Sequence, residues 1–310
     1  MFHKPICNLS EIILMVTYTS CPVCKNNQIE EIFSAKDYTV SGEFFRILKC
    51  ENCTLLFTQN VAEQNEIGKY YASENYISHS DTQVGFVNKL YHLIRKNTLQ
   101  SKKYLIEKET GRSNGNMLDI GCGTGAFLHT MKSNGWKITG LEPDETARAK
   151  AKTLYGIEPQ PSHNILDLPS NSYNAITMWH VLEHVHQLHE YVEQLKNMLT
   201  DDGKIFIAVP NHTSYDAQHY GQFWAAYDVP RHLYHFSPVS IKQLVEQHGL
   251  TIKKIKPMWF DSFYVSLLSE QYKNGKGNLV KAFLIGLASN FKTIINSKKC
   301  SSLIYILEKS

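Results

Sequence analysis

What the chain lacks narrows it first. No run of 18 uninterrupted apolar residues occurs in its 310 residues, so no helix is expected to cross a bilayer, which takes about 20. The opening MFHKPICNLSEIILMV is broken by Asn8, Ser10 and Glu11, and no small-residue cleavage site follows it, so it is not read as a secretory signal. Residues 1–18 are expected to be a disordered or mis-called extension, with Met15 as an alternative start. Strong charge of either sign is also missing. Lys and Arg number 32 against 29 Asp and Glu, and a formal charge of +3 does not by itself mark a nucleic-acid binder. No internal repeat or low-complexity tract stands out. The chain has 43% hydrophobic and 20% charged residues, ordinary for a globular protein long enough for more than one unit. A reducing cytoplasm is the expected compartment, where cysteines rarely form structural disulfides.

The seven cysteines are few but patterned. Cys21-Pro-Val-Cys24 and Cys50-Glu-Asn-Cys53 are two C-x-x-C turns, and two such turns complete a tetrahedral Zn²⁺ site. Between them, short β-prone runs broken at Ser41-Gly42 suit a zinc ribbon over residues 19–60. Four thiolates leave no coordination position open, so the metal would be structural. Two redox pairs or two disulfides are the competing readings. Cys7, Cys122 and Cys300 read as small buried apolar residues. Residues 61–112 look like a helical linker or lid: Phe86, Leu90, Leu93 and Ile94 recur at helical spacing. Within it, KYYASENYISHS at 69–80 is aromatic-rich, either for packing or as a pocket wall.

From residue 113 a βαβ pattern begins. MLDIG reads as a strand, Gly121, Gly123 and Gly125 as a turn, AFLHTMKSNG as a helix and KITGLE as the next strand. Glycines are needed where the backbone turns sharply and a ligand lies against it. Glu142 ends the second strand, where a carboxylate can accept from both hydroxyls of a ribose. The spacing is G-x-G-x-G, not the dinucleotide G-x-G-x-x-G, and Asp119 just ahead suits a cationic ligand without phosphate.

LDIGCGTG followed by Glu142 resembles the first motif, D-x-G-x-G-x-G, of the class I S-adenosylmethionine-dependent methyltransferases. The resemblance spans residues 116–308 and implies an α/β, Rossmann-like domain over 113–310 with a seven-stranded sheet in the order 3-2-1-4-5-7-6. SLIYILEK resembles its final, antiparallel strand. It also implies that Asp119, Gly121, Cys122, Gly123, Gly125, Glu142, Pro143, Asn164, Ile165 and His180 line the cofactor, with Asp167 a substitute for Asn164. An N-P-P-[YF] segment, used by the adenine amino-group enzymes, is absent; MWHVLE stands in its place.

HVLEH, residues 180–184, fits the zinc-protease pattern H-x-x-E-H. It directly follows the predicted strand NAITMW, where many relatives carry a similar VLEH without metal, so His180 and His184 are expected to line the cofactor and substrate cleft or to serve structure. His186 and His189 are expected to face solvent. GQFWAAYDVPRHLYHFSP, residues 221–238, packs Trp224, Tyr227, Asp228, Arg231, His232, Tyr234 and His235 into twelve positions. RHLYHFS is similar to a segment of antibiotic-pathway sugar C-methyltransferases, which also carry a four-cysteine module. That likeness places His232 on their catalytic His, with Arg231 replacing a Glu and Tyr227 nearby. Arg231 in place of an acid points to an anionic group on the substrate.

These residues together imply S-adenosylmethionine-dependent methyl transfer to a small molecule, a sugar or other anionic metabolite, with Zn²⁺ in the module. A zinc-containing RNA methyltransferase and a non-catalytic binding protein on the same fold are the alternatives; nucleic acid is not the favoured partner. NLVKAFLIGLASNFKTII, within 278–295, is a strongly apolar predicted helix that could cover the pocket, form a homodimer or lie on a membrane surface.

Overall fold

The computed structural model describes residues 15–71 and 86–310, with only the backbone over 86–96. Five short strands open it: β1 (Met15–Val16), β2 (Ile29–Lys36), β3 (Phe44–Cys50), β4 (Leu56–Thr58) and β5 (Val61–Ala62). β1 pairs antiparallel with β5. Met15 and Val16, within the extension expected over 1–18, are thus a paired strand; residues 1–14 lie outside the described residues. The cysteine turns flank the β2–β3 hairpin, and β4 adds to β3. Of the aromatic run at 69–80, only residues 69–71 are described, in a 3₁₀ turn over Ile67–Tyr71.

Helix α1 (Phe86–Thr110) leads into the α/β unit. There follow β6 (Gly115–Ile120), α2 (Ala126–Lys132), β7 (Trp136–Leu141), α3 (Glu145–Tyr155), β8 (Tyr173–Trp179), α4 (Leu188–Met198) and β9 (Leu199–Pro210). After these come α5 (Tyr215–Tyr220), β10 (Tyr234–His235), α6 (Pro238–Glu246), β11 (Leu250–Pro257), α7 (Asp261–Asn274), α8 (Leu279–Ile295) and β12 (Ser302–Lys309). The central sheet has the order β11-β12-β9-β8-β6-β7, and β12 runs antiparallel to both of its neighbours. Residues Ile205–Val209 of β9 are buried without alternation, as befits a strand covered on both faces. α4 buries Leu188, Val192, Leu195 and Met198, one stripe at helical spacing.

The sheet has six strands among the described residues, not the seven expected. The missing edge strand is reduced to one parallel bridge between Gln160 and Leu141. Pro159 and Pro161 flank Gln160, and neither can donate to a ladder. The chain instead turns into a 3₁₀ segment over Ser162–Asp167.

The cysteine module is not a separate bead. β10, from the loop after β9, pairs with β4 and becomes the fourth strand of the module's sheet. One buried apolar cluster runs from Cys21, Leu48 and Phe57 through Tyr234 and Phe236 to Ile176 and Ile207. His186 and His189, expected in solvent, are half-buried in this contact: their Nε2 atoms lie 2.9 Å from the carbonyl oxygens of Ala62 and Pro22. At the far side α8 packs Ala282, Gly286, Ser289 and Thr293 inward and leaves Leu279, Val280, Phe291, Ile294 and Ile295 exposed. Among the described residues no helix is long and apolar enough to cross a membrane.

Candidate functional site

The glycine turn sits at the carboxyl end of β6. The amide of Gly121 donates to Leu141 O (2.8 Å), and Gly125 opens α2. All three glycines have positive φ. Two of them are constrained differently. A Cβ on Gly121 would lie 2.4 Å from Val181 Cγ2, so the turn after β8 is packed directly on the loop. A Cβ on Gly123 would meet no atom within 4 Å, leaving its backbone open to a ligand. Glu142 lies just beyond β7 and is buried. Its Oε2 accepts from Gly123 N (2.8 Å) and its Oε1 from Asp144 N (3.0 Å), while burial pushes its pKa up. Each oxygen keeps a lone pair for a further donor. Asp119 is buried beneath the loop, accepts from Thr177 Oγ1 (2.6 Å) and is raised by burial to about 7. An open glycine backbone beside a carboxylate pair fits a cationic nucleoside. Cys122 packs under the turn with Leu128 and Ile157. Pro143 is exposed, Ile165 is buried, and Asn164 is half-buried with its amide donating to Gln160 Oε1 (3.3 Å).

The turn after β8 is not helical enough to present His180 and His184 on one face. His180 has φ 58°, and only Leu182–His184 form a 3₁₀ turn. The geometry that a zinc-protease motif needs is therefore absent. His180 instead puts Nε2 3.1 Å from Asp261 Oδ2 and Nδ1 3.5 Å from Glu183 Oε1. Burial works to lower its pKa, but those two carboxylates more than offset it and raise it to about 10. His184 turns the other way. Its Nδ1 donates to Arg231 O (2.9 Å), and the Tyr71 hydroxyl lies 3.0 Å from the same atom. Burial, and then its neighbour His232, hold it down at about 4.

His232 meets His184 edge-on, with ring centroids 4.6 Å apart. Its Nδ1 donates to Ala226 O (2.9 Å), which leaves Nε2 as the acceptor nitrogen. Nε2 lies 4.0 Å from Glu183 Oε1 and 3.9 Å from Asp228 Oδ2. The module fixes this loop: Thr58 Oγ1 donates to His232 O (2.7 Å), and Thr58 N donates to Leu233 O (2.9 Å). Tyr227 does not join the histidines in this way; its ring packs against Trp224, His235 and Phe33.

Arg231, expected to grip a substrate anion, is 1% exposed and already engaged. Its guanidinium donates to Asp228 Oδ1 (2.7 Å), Asp37 Oδ1 (3.0 Å) and Tyr70 O (2.8 Å). It ties the loop to the module's β2–β3 turn and to the 3₁₀ segment, and it is a clamp inside the protein.

The four module cysteines each offer a sulfur, all within 4.8 Å of one another, and none is in a disulfide. The Cys21–Cys53 and Cys24–Cys50 sulfur pairs are each 3.5 Å apart. Tetrahedral Zn–S bonds of about 2.3 Å place sulfurs about 3.8 Å apart, so the donor set fits zinc. Two members of the histidine site were not singled out from the sequence. Tyr71 lay in the aromatic run, a signal that was there to follow. Glu183 is legible only as the acidic fourth position of H-x-x-E-H.

A methyltransferase-domain family profile matches residues 90–255. The chain is 31% identical over 124 residues to a ubiquinone biosynthesis O-methyltransferase of Glaesserella parasuis, covering 36% of this chain and 52% of that one. It is 27% identical over 175 residues to the enzyme of that name from Rickettsia canadensis, covering 51% and 74%. It thus spans about half the length of the first of these relatives. Among solved structures, magnesium protoporphyrin IX methyltransferase from Synechocystis with bound SAH matches with TM-score 0.51 and 14% identity, over 80% of this chain and all of that one. A 1,6-didemethyltoxoflavin-N1-methyltransferase from Burkholderia thailandensis matches with TM-score 0.50 and 12% identity, over 89% and 100%. These structures share the fold. The profile covers more than half of the sequence, including the glycine turn, Glu142 and the H-x-x-E-H segment, and on that ground the chain belongs to the methyltransferase-domain family.

Proposed function

We propose that this chain transfers a methyl group from S-adenosylmethionine to a small-molecule acceptor held beside His184 and His232. The observation that carries this is the open, positive-φ backbone of Gly123 hydrogen-bonded to the Glu142 carboxylate, in a chain of the methyltransferase-domain family. Gly121, Gly123 and Glu142 hold the nucleoside, and Asp119 supplies negative charge beneath it. When bound, the cofactor supplies an electrophilic methyl on a sulfonium. The protein's task is to align the acceptor and, if its nucleophile is protonated, to take the proton.

His232 is the proton acceptor in this scheme. Its Nδ1 is committed to Ala226 O, its Nε2 lone pair is free to accept, and Glu183 and Asp228 stand about 4 Å away to favour the imidazolium once formed. The names of the sequence relatives favour an oxygen nucleophile. The sugar C-methyltransferase likeness of RHLYHFS supports His232 but not an anionic substrate, because Arg231 is occupied within the fold. Zn²⁺ on the four cysteines is a structural element that steadies the module carrying Thr58. His232→Ala should leave cofactor affinity intact and lower turnover by ~10²–10⁴-fold. Wild-type turnover in that variant would remove His232 from the chemistry.

A further inference from the structure

We propose that Glu183, His184 and His232 form a second metal site, for a divalent transition ion of the Zn²⁺ or Fe²⁺ type, where the turn after β8 meets the loop after β9. One ligand atom from each of the three lies within 4.8 Å of the other two. Glu183 is completely buried, and neither of its carboxylate oxygens has a hydrogen-bond partner. A buried carboxylate short of hydrogen bonds is costly. His180 pairs with Glu183 Oε1 by charge at 3.5 Å but is drawn more closely to Asp261 at 3.1 Å. Glu183 Oε2 is left with no hydrogen-bond partner, and a cation at this position would meet it.

The two imidazoles point to a cation. In each, Nδ1 donates to a backbone carbonyl, Arg231 O for His184 and Ala226 O for His232, both at 2.9 Å. A carbonyl can only accept, so Nδ1 carries the hydrogen and Nε2 presents a lone pair. Metal-binding histidines are oriented in this way, with the other ring nitrogen fixed by an outer partner. The backbones are fixed as well, since Leu233 N donates to Glu183 O (2.8 Å) and joins the two segments that carry the ligands. Asp228 stands close to His232, but its oxygens are taken by Arg231. That leaves three protein ligands.

Two nitrogens and one carboxylate suit a borderline ion such as Zn²⁺ or Fe²⁺ and not Mg²⁺ or Ca²⁺, which prefer oxygen. Tetrahedral bonds of 2.0–2.1 Å need ligand atoms about 3.3 Å apart, so His232 Nε2 and Glu183 Oε1, 4.0 Å apart, would close by about 0.7 Å on binding. Three ligands keep one position open. An acceptor oxygen would occupy it; this last point rests on the methyl-transfer reading. With the ion present, His232 Nε2 would be a ligand and not the proton acceptor; the cation would lower the pKa of a hydroxyl bound to it, and the proton would pass to solvent water. The H-x-x-E-H segment thus contributes its Glu and second His, while the first His belongs to Asp261.

The test is a Co²⁺ titration of the full chain after chelation and dialysis, compared with Glu183→Gln and His232→Gln. Cobalt on four thiolates gives strong near-ultraviolet charge-transfer bands; on imidazole and carboxylate it gives only weak visible bands. Two equivalents are expected in the wild type. Each variant should keep the thiolate bands, which also show that it is folded, and lose the second equivalent. Millimolar Mg²⁺ should not displace it. A single equivalent in the wild type, or a second equivalent retained in both variants, would overturn the site. Calorimetry with S-adenosylmethionine on the same samples tests the other reading separately: no cofactor binding would refute methyl transfer without changing the metal count.

Discussion

Arg231→Met should destabilise the protein severely. The guanidinium is buried between Asp228, Asp37 and the carbonyl of Tyr70. Removing it strands two carboxylates. Asp37 is the better protected, since it also accepts from the amides of Thr39 (2.9 Å), Val40 (3.2 Å) and Ser41 (2.8 Å) and from the Ser41 hydroxyl (2.9 Å). Asp228 has φ 35° and is held by Arg231, so its loop is the part expected to give way. Deleting one partner of a buried ion pair costs about 3–5 kcal/mol. With an unfolding entropy of about 2.1 cal/mol/K per residue, the chain's 310 residues melting together would lose roughly 5–8 °C in Tm. Calorimetric melting of Arg231→Met, and of Arg231→Met/Asp228→Asn/Asp37→Asn, measures this. The triple variant should recover part of the loss, because no charge is then left uncompensated. The opposite result is clear as well. A variant that melts within about 1 °C of wild type and shows only a raised substrate KM would mean that Arg231 binds the acceptor, as the sequence suggested.

Three further outcomes can be checked. Cys21→Ser/Cys50→Ser should abolish one equivalent of zinc by elemental analysis and, because β4 pairs with β10 beside His232, should lower kcat more than it weakens cofactor binding; zinc retained in full would refute the four-cysteine site. Glu142→Ala should weaken S-adenosylmethionine by about 1.5–3 kcal/mol, roughly ten- to a hundred-fold, in a calorimetric titration, and an unchanged Kd would refute the ribose assignment. Burial raises Asp119 to about 7, and a cationic ligand favours its ionised form, so affinity should rise with pH up to about 7 and level off above it. At pH 6 about a tenth of the carboxyl is ionised, so binding should be roughly tenfold weaker than on the plateau; Asp119→Asn should flatten the profile, and a profile that stays the same in that variant would exclude Asp119 as its cause.

Residue order alone determined the parts governed by short-range physics. The G-x-G-x-G turn needs positive φ at closely spaced positions, and glycine reports that directly. The paired C-x-x-C turns declare their geometry in three-residue steps, and SLIYILEK, likened to the family's final strand, is paired antiparallel with β9 and β11 in the structure. Tertiary structure decided what depended on distant partners. Arg231 looked like a substrate grip until Asp37, 194 residues away, was found on its guanidinium. His180 looked equivalent to His184 until Asp261 drew it aside. The family resemblance implied a seventh strand, yet two prolines beside Gln160 leave a single bridge in its place. Most of all, nothing near His232 in sequence shows that Thr58, 174 residues earlier, holds its carbonyl. A buried polar group takes whichever complementary partner the packed chain brings within about 3 Å, and that choice is made by the whole fold, not by its neighbours in sequence.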